Sequence, residues 1–247
     1  MANLENITGH DFKESKFRVA VLPLGSTESH GDHLPYGTDA IEASAIAEDL
    51  SGRFPNLLVL PTLPYGMSEH YSSFPIALSL KSSTLVSVIS DLLNSLYKHD
   101  IKRVLIINGH DGNIAPIEMA TREFKVTYSD MKIAVIEAWW DIVSQLLPKN
   151  TFAVWNGRGH GGELETSMML SIRPDDVKMK FAKGVVPDLP EHVQIKWLFR
   201  ELTNTGSTGD PTKGTKEKGR SARRVLVEYL VDFLKKMDQK DWKYESF

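Results

Sequence analysis

The chain has 247 residues, 41% apolar and 25% charged, enough to bury a full core and too apolar for intrinsic disorder. A formal net charge of −3 with scattered basic residues gives no stripe for a nucleic-acid backbone and no patch for an anionic membrane. The absence of cysteine removes disulfides, thiolate ligands and a cysteine nucleophile together, and accords with a reducing compartment.

The first residues, Met-Ala-Asn-Leu-Glu-Asn-Ile-Thr, are polar rather than signal-like, and no apolar run approaches a bilayer span. The expectation is a cytoplasmic protein with neither membrane nor nucleic acid as partner. Val19–Leu24 is an apolar run of strand length that stops at Gly25, and residues 21–39 are the stretch around which the chain is organised. Glu28, His30, His33 and Asp39 follow, set among Gly31, Pro35 and Gly37. Glu28 and His30 are two apart and point the same way in extended chain. Carboxylates and imidazoles on a loop constrained by Gly and Pro offer the oxygen and nitrogen ligands that divalent metals take. The same residues also suit a solvated loop, and Asp39 also suits the cap of a helix running to about Arg53.

Residues 57–60 make a short strand ended by Pro61, and residues 61–81 a long aromatic-bearing loop suited to lining a site. A helix follows from Ser82 and Ser83, apolar at Leu85, Val88, Ile89, Leu92 and Leu96. A strand at 104–107 runs into Asn108-Gly109-His110-Asp111-Gly112-Asn113, then come a helix over 114–128 and a strand at 133–136. Strand and helix alternate four times with short connections, which predicts an α/β fold with a mostly parallel sheet and helices on its faces. In such sheets ligands bind beyond the carboxyl ends of the strands, where the densest polar chemistry of this chain also falls.

The second half is less regular. Arg158-Gly159-His160-Gly161-Gly162-Glu163-Leu164-Glu165-Thr166-Ser167 leads into an apolar helix over 168–172, stopped by Pro174. The glycines around His160 need mean no more than a turn, and Glu165 suits a capping carboxylate as well as a ligand. Residues 173–200 resist placement, residues 203–220 look like a loop, and a helix over 221–237 closes the chain. Met168, Met169, Trp139 and Trp197 are expected in the core. Neither a repeat nor a linker breaks the chain, so 1–247 is expected to be a single domain. No Walker-type phosphate loop, dinucleotide fingerprint or nucleophile elbow is present.

Three motifs, Gly25-Ser-Thr-Glu28-Ser-His30-Gly-Asp-His33-Leu-Pro-Tyr-Gly-Thr-Asp39, Asn108 to Asn113, and His160-Gly-Gly-Glu-Leu-Glu165-Thr-Ser, resemble the creatininase (creatinine amidohydrolase) family in order and separation. Ser73-Phe74-Pro75, Gly209-Asp210-Pro211 and Glu217-Lys218-Gly219 extend the likeness over about residues 20–220. The resemblance implies a three-layer α/β/α fold and a metal-dependent amidohydrolase cleaving a non-peptide or cyclic C–N amide bond of a small molecule. It also implies one or two divalent ions per subunit (Zn, Mn or Fe) and a homo-oligomer, a hexamer. By motif position it makes Glu28, His30, Asp39 and His110 metal ligands, with Asp39 bridging, Glu165 a further ligand or neighbour of the metals, and His160 the catalytic histidine. Asp111, Trp140 and Trp155 fall where the family places substrate-binding residues. Members that hydrolyse creatinine carry a ligating Glu where this chain has Gly112 and a Tyr where it has Asp111. Other members resemble formamide deformylases of pterin or flavin precursors, or small peptidases; outside enzymes, the alternative is a metal-binding member without catalysis.

Overall fold

Strands that are apolar on both faces need a helix layer above and below, and that is how the chain folds. The computed structural model of the protein describes residues 2–190, 192–193 and 195–243. Five strands, β1 (Ala2–Asn3), β2 (Val19–Leu24), β3 (Leu57–Val59), β4 (Arg103–Asn108) and β5 (Lys132–Ile136), form one parallel sheet in the order β1-β3-β2-β4-β5. The helices are α1 (Gly9–Glu14), α2 (Thr38–Ser51), α3 (Ser82–Lys98), α4 (Ile114–Thr127), α5 (Trp139–Leu146), α6 (Glu163–Ile172), α7 (Phe199–Leu202) and α8 (Lys216–Gln239).

The two-residue period of the strands sorts their side chains between two cores. Val19, Val21, Leu105 and Ile107 face one side and pack with Ile46 and Leu50 of α2, Val143 of α5, Leu164 and Met168 of α6, and Leu226 and Leu230 of α8. Ala20, Leu22, Val104 and Ile106 face the other and meet Leu85, Ile89 and Leu93 of α3 and Ile117 and Phe124 of α4. The three-layer α/β/α arrangement follows. Every residue of β2 is buried, as expected of the central strand.

The expected strands and helices recur, most within a residue or two. The differences have local causes. The sequence gives α1 no apolar stripe; it is closed instead by a capping box between Thr8 and Asp11. α5 begins three residues after the last residue of β5, in a stretch the sequence pattern does not mark as helical. α6 starts at Glu163, five residues before the apolar stretch, because two acidic residues occupy its first turn and suit the helix N-terminus. α8 likewise starts inside the stretch expected as a loop, its Thr215 side chain accepting from Lys218 N at 3.2 Å. Among the described residues of 173–198, short turns alone precede α7. Met168, Met169 and Trp139 are core residues as expected, whereas Trp197 is 39% exposed on the irregular segment before α7. Among the described residues no helix is long and apolar enough to cross a membrane.

Candidate metal centre

β2 and β4 end side by side, with Leu24 opposite Asn108, and each is followed by a glycine. A Cβ on Gly25 would overlap the backbone of Ala40, and one on Gly109 would overlap the carbonyl oxygen of Asp39. The first turn of α2 therefore rests directly on both strand ends, which only residues without side chains permit. This contact carries Asp39 between the loops that hold Glu28, His30 and His110. Asp39 does not cap α2: Gly37 is the N-cap and no side chain bonds there.

Glu28, His30, Asp39 and His110 are all at least 97% buried. His30 Nδ1 donates to Glu28 O at 3.1 Å, which turns Nε2 toward Asp39 Oδ1 at 2.7 Å. His110 Nε2 donates to Met67 O at 3.0 Å, which turns Nδ1 toward Glu28 Oε1 at 3.3 Å and Asp39 Oδ2 at 3.2 Å. His160 Nε2 donates to Ser29 O at 2.6 Å, leaving Nδ1 3.8 Å from Glu28 Oε1. All three rings thus fasten their outer nitrogen to a main-chain carbonyl and aim the inner one at carboxylate oxygen, the way metal-ligating histidines are held. Glu28 Oε1 and Asp39 Oδ2 are buried and have no hydrogen-bond partner. Ligand atoms of three sets, Glu28–Asp39–His110, His30–Asp39–Glu165 and Glu28–His30–His160, lie within 4.8 Å of one another. Orphaned buried oxygens facing imidazole nitrogens, with no sulfur among them, fit a divalent cation of the zinc or manganese type.

The electrostatics describe the same gap filled by protons. Burial alone pushes the His30 imidazole down, but the charge and hydrogen bond of Asp39, with Glu165 and Glu28 adding, outweigh it and hold His30 up at about 10. Burial likewise opposes the His110 imidazolium, and Glu28 and Asp39 overcome it and raise it to about 9. Burial would raise Asp39; the two imidazoles hold it well below the usual carboxylate range. Burial raises Glu28, and it lifts Glu165 to about 7 with the charge of Asp39 adding. Burial and the nearby His30 charge keep His160 well below its ordinary value, so its ring is neutral.

The structure brings Glu28, His30, Asp39, His110, His160 and Glu165 together. Glu165 also accepts from Gly161 N, so it closes the first turn of α6 and faces the cluster at once. Asp111 is exposed beside His110. Trp155, in left-handed backbone (φ 47°), borders a cavity of about 690 Å³ with Arg158 and Gly159. Trp140 is half-buried against the α5–α8 core, its ring 5.8 Å from that of Trp139.

Several supporting residues escaped the sequence analysis. Asn108 bonds His110 O, His110 N and Glu137 O and so fixes the turn that aims His110. Asn113 ties Met67 N to Gly25 O. Ser26 donates to Glu28 Oε2 at 2.7 Å and also bonds Ser68, which leaves Oε1 as the free oxygen. Glu42, one turn past Asp39 on α2, is fully buried with neither oxygen bonded; burial, then the charges of Glu165 and Asp39, raise it well above the carboxylate range. The asparagines flanking the His110 turn were the one sequence signal available, since Asn fixes turns through its side chain.

A family model described as creatininase, creatinine amidohydrolase, matches residues 5–234. The chain is similar to creatinine amidohydrolase of Pseudomonas putida, 28% identical over 91% of this chain and 94% of that one. It is similar to the mycofactocin precursor peptide peptidase of Mycolicibacterium smegmatis, 28% identical over 88% of this chain and 85% of that one. Among solved structures, a manganese creatininase superposes with a TM-score of 0.81 at 26% identity, covering 95% of this chain and 98% of that one. A zinc–zinc form of a creatininase mutant superposes with a TM-score of 0.80 at 26% identity, covering 95% and 97%.

Proposed function

The chain belongs to the creatininase family, and from that premise we propose that it is a metal-dependent amidohydrolase that cleaves a non-peptide or cyclic C–N amide bond of a small molecule. The observation that carries this is the set of three imidazoles whose inner nitrogens face carboxylate oxygens of Glu28 and Asp39, those of His110 and His160 facing oxygens that have no hydrogen-bond partner. In this proposal Glu28, Asp39 and His110 would hold one divalent ion, and His30, Asp39 and Glu165 would hold a second, so that Asp39 belongs to both sets. Zinc and manganese suit the donors, and iron is a further candidate. A bound ion supplies a lowered water pKa and polarises the amide carbonyl.

The remaining chemistry falls to the chain. Attack by water forms a C–O bond and breaks the C–N bond, so one proton must travel from the water to the leaving nitrogen. His160 suits that transfer: its ring is neutral and Nδ1 faces the cluster as an acceptor, able to take the proton and return it. Its Nε2 hydrogen is engaged by Ser29 O, which favours proton carriage over donation to an oxyanion from that atom.

Creatinine itself is proposed to be a poor substrate. Asp111 stands in place of an aromatic ring, and at Gly112 the space a Glu side chain needs is taken by Met67 O. A formamide or a short peptide suits the same water chemistry, and the resemblance to a peptide peptidase supports including peptides in the search. We place the enzyme in the cytoplasm as a single domain in a homo-oligomer, a hexamer, for which light scattering is the check. The test of function is metal analysis of protein purified without added metal, joined to assays on creatinine, formamides and short peptides. Bound transition metal and hydrolysis of one class are expected. No bound metal, with no activity on adding zinc, manganese or iron, would overturn the proposal and favour a metal-free or inactive member.

A further inference from the structure

The six ionisable groups of the cluster are all acceptors once an ion is bound: three carboxylates and the inner nitrogens of three imidazoles. Amide hydrolysis also needs a hydrogen-bond donor where the carbonyl oxygen becomes an oxyanion. Tyr71 meets that need. It ends the short turn Glu69–Tyr71 in the long loop after β3, held by Tyr71 N donating to Ser68 O at 2.9 Å and Phe74 N donating to Tyr71 O at 2.9 Å. Its side chain is 95% buried. The ring lies 4.5 Å from that of His160, 4.4 Å from His70, 4.4 Å from Phe199 and 6.2 Å from His110.

Those contacts fix the ring beside His160, with His110 further off. Its hydroxyl makes no hydrogen bond among the described residues and is not one of their buried unpaired polar atoms, so it stays reachable from outside the packed core. An accessible hydroxyl on a ring otherwise fixed by packing is free to donate to a ligand. The charges of Glu28, Asp39, Glu165 and Asp111 all reach the phenol and, after burial itself, keep it protonated, which accords with a position at the cluster.

We infer that the Tyr71 hydroxyl donates a hydrogen bond to the carbonyl oxygen of the amide substrate as negative charge develops there, making Tyr71 a catalytic residue. The proton stays on Tyr71 throughout. This inference rests on the amidohydrolase proposal, with His160 left to carry the proton to nitrogen.

The experiment compares wild-type protein with Tyr71→Phe, both loaded with zinc, using calorimetric titration with acetohydroxamate as an oxygen-donor mimic of the reacting carbonyl. Tyr71→Phe is expected to hold the same zinc, melt at the same temperature and bind the probe about tenfold more weakly, the loss of one hydrogen bond. On the amide that the wild type hydrolyses, kcat should fall about 10²–10³-fold with KM within about threefold, as for loss of an oxyanion donor. Phe199→Leu removes a ring from beside Tyr71 and keeps the hydroxyl, so it controls for packing and should keep most of the affinity. Equal probe affinity in wild type and Tyr71→Phe overturns the role of Tyr71 alone, as does an equal loss in Phe199→Leu. Zinc-free protein, or zinc-loaded wild type that does not bind the probe, overturns the metallohydrolase proposal and the role of Tyr71 with it.

Discussion

Replacing Gly112 by Ala tests the packing that aims His110. The backbone there is outside the left-handed region, so an alanine brings no conformational strain and its whole effect is spatial. Its methyl carbon would overlap Met67 O and stand 2.5 Å from His110 Nε2, the two atoms that form the hydrogen bond orienting the ring. Neither can yield freely. Met67 N is tied to Asn113 Oδ1 at 3.0 Å, and His110 is clamped by Asn108 at both its N and its O. Forcing a methyl into such a site costs about 1–3 kcal/mol, and the broken buried hydrogen bond adds about 1–2 kcal/mol. At about 2–4 °C per kcal/mol for a chain of this size, the ion-free variant should melt roughly 4–20 °C below wild type. Zinc titration should show weaker binding as well, since the ring turns away from Glu28 and Asp39. Gly9→Ala is the control: it lies in α1 with nothing within 4 Å of the new methyl, and should be neutral or slightly stabilising. A Gly112→Ala protein that melts within 1–2 °C of wild type and binds zinc equally would refute this account of the site.

Asp39→Asn removes the carboxylate shared by two ligand sets and should weaken metal binding by more than about a hundredfold, beyond the loss typical of outer hydrogen-bond partners; unchanged metal content on dialysis contradicts a bridging Asp39. His160→Gln should keep its metal and fold while kcat falls about 10²–10⁴-fold; loss of metal makes His160 a ligand, and unchanged kcat makes it structural. Metal binding should tighten as pH rises from 7 to 9, because the ion must displace protons from His30 and His110, held at about 10 and about 9. The sign reverses for the ion-free protein: stability from these raised imidazoles is complete below their ordinary value of 6.5 and is lost as pH climbs through 9 and 10, so its melting temperature should fall between pH 7 and 10. A metal affinity independent of pH over that range contradicts the proton-filled cluster. Lys218→Met strips the charged partner from Glu163, whose side chain is 1% exposed, and should cost about 2–3 kcal/mol, or roughly 4–12 °C of melting temperature; a shift under 2 °C shows the pair contributes nothing to holding α8 on α6.

The α/β class was legible because burial on both faces leaves its mark in the chain itself. Val19–Leu24 is uninterruptedly apolar, and the helix after Ser82 repeats apolar residues at helical spacing. The gathering of the cluster was legible too, since Glu28, His30, Asp39 and His110 sit just past strands or at a helix start, where a parallel sheet gathers polar groups. Helix starts were less so: α6 and α8 open on polar residues stabilised by charge and capping rather than by an apolar stripe. What the tertiary structure alone decided is which atoms meet. Gly25 and Gly109 read as turns, yet their missing side chains are what let α2 rest on the strand ends and bring Asp39 between two histidines. Tyr71, 32 residues beyond Asp39 and 89 before His160 by number, lies in the aromatic-bearing loop that the sequence marks as suited to lining a site, but which of that loop's aromatics packs on His160 is not written there. Local pattern records how much of each segment is buried, whereas the direction of one nitrogen or hydroxyl depends on distant main-chain atoms such as Met67 O and Ser29 O.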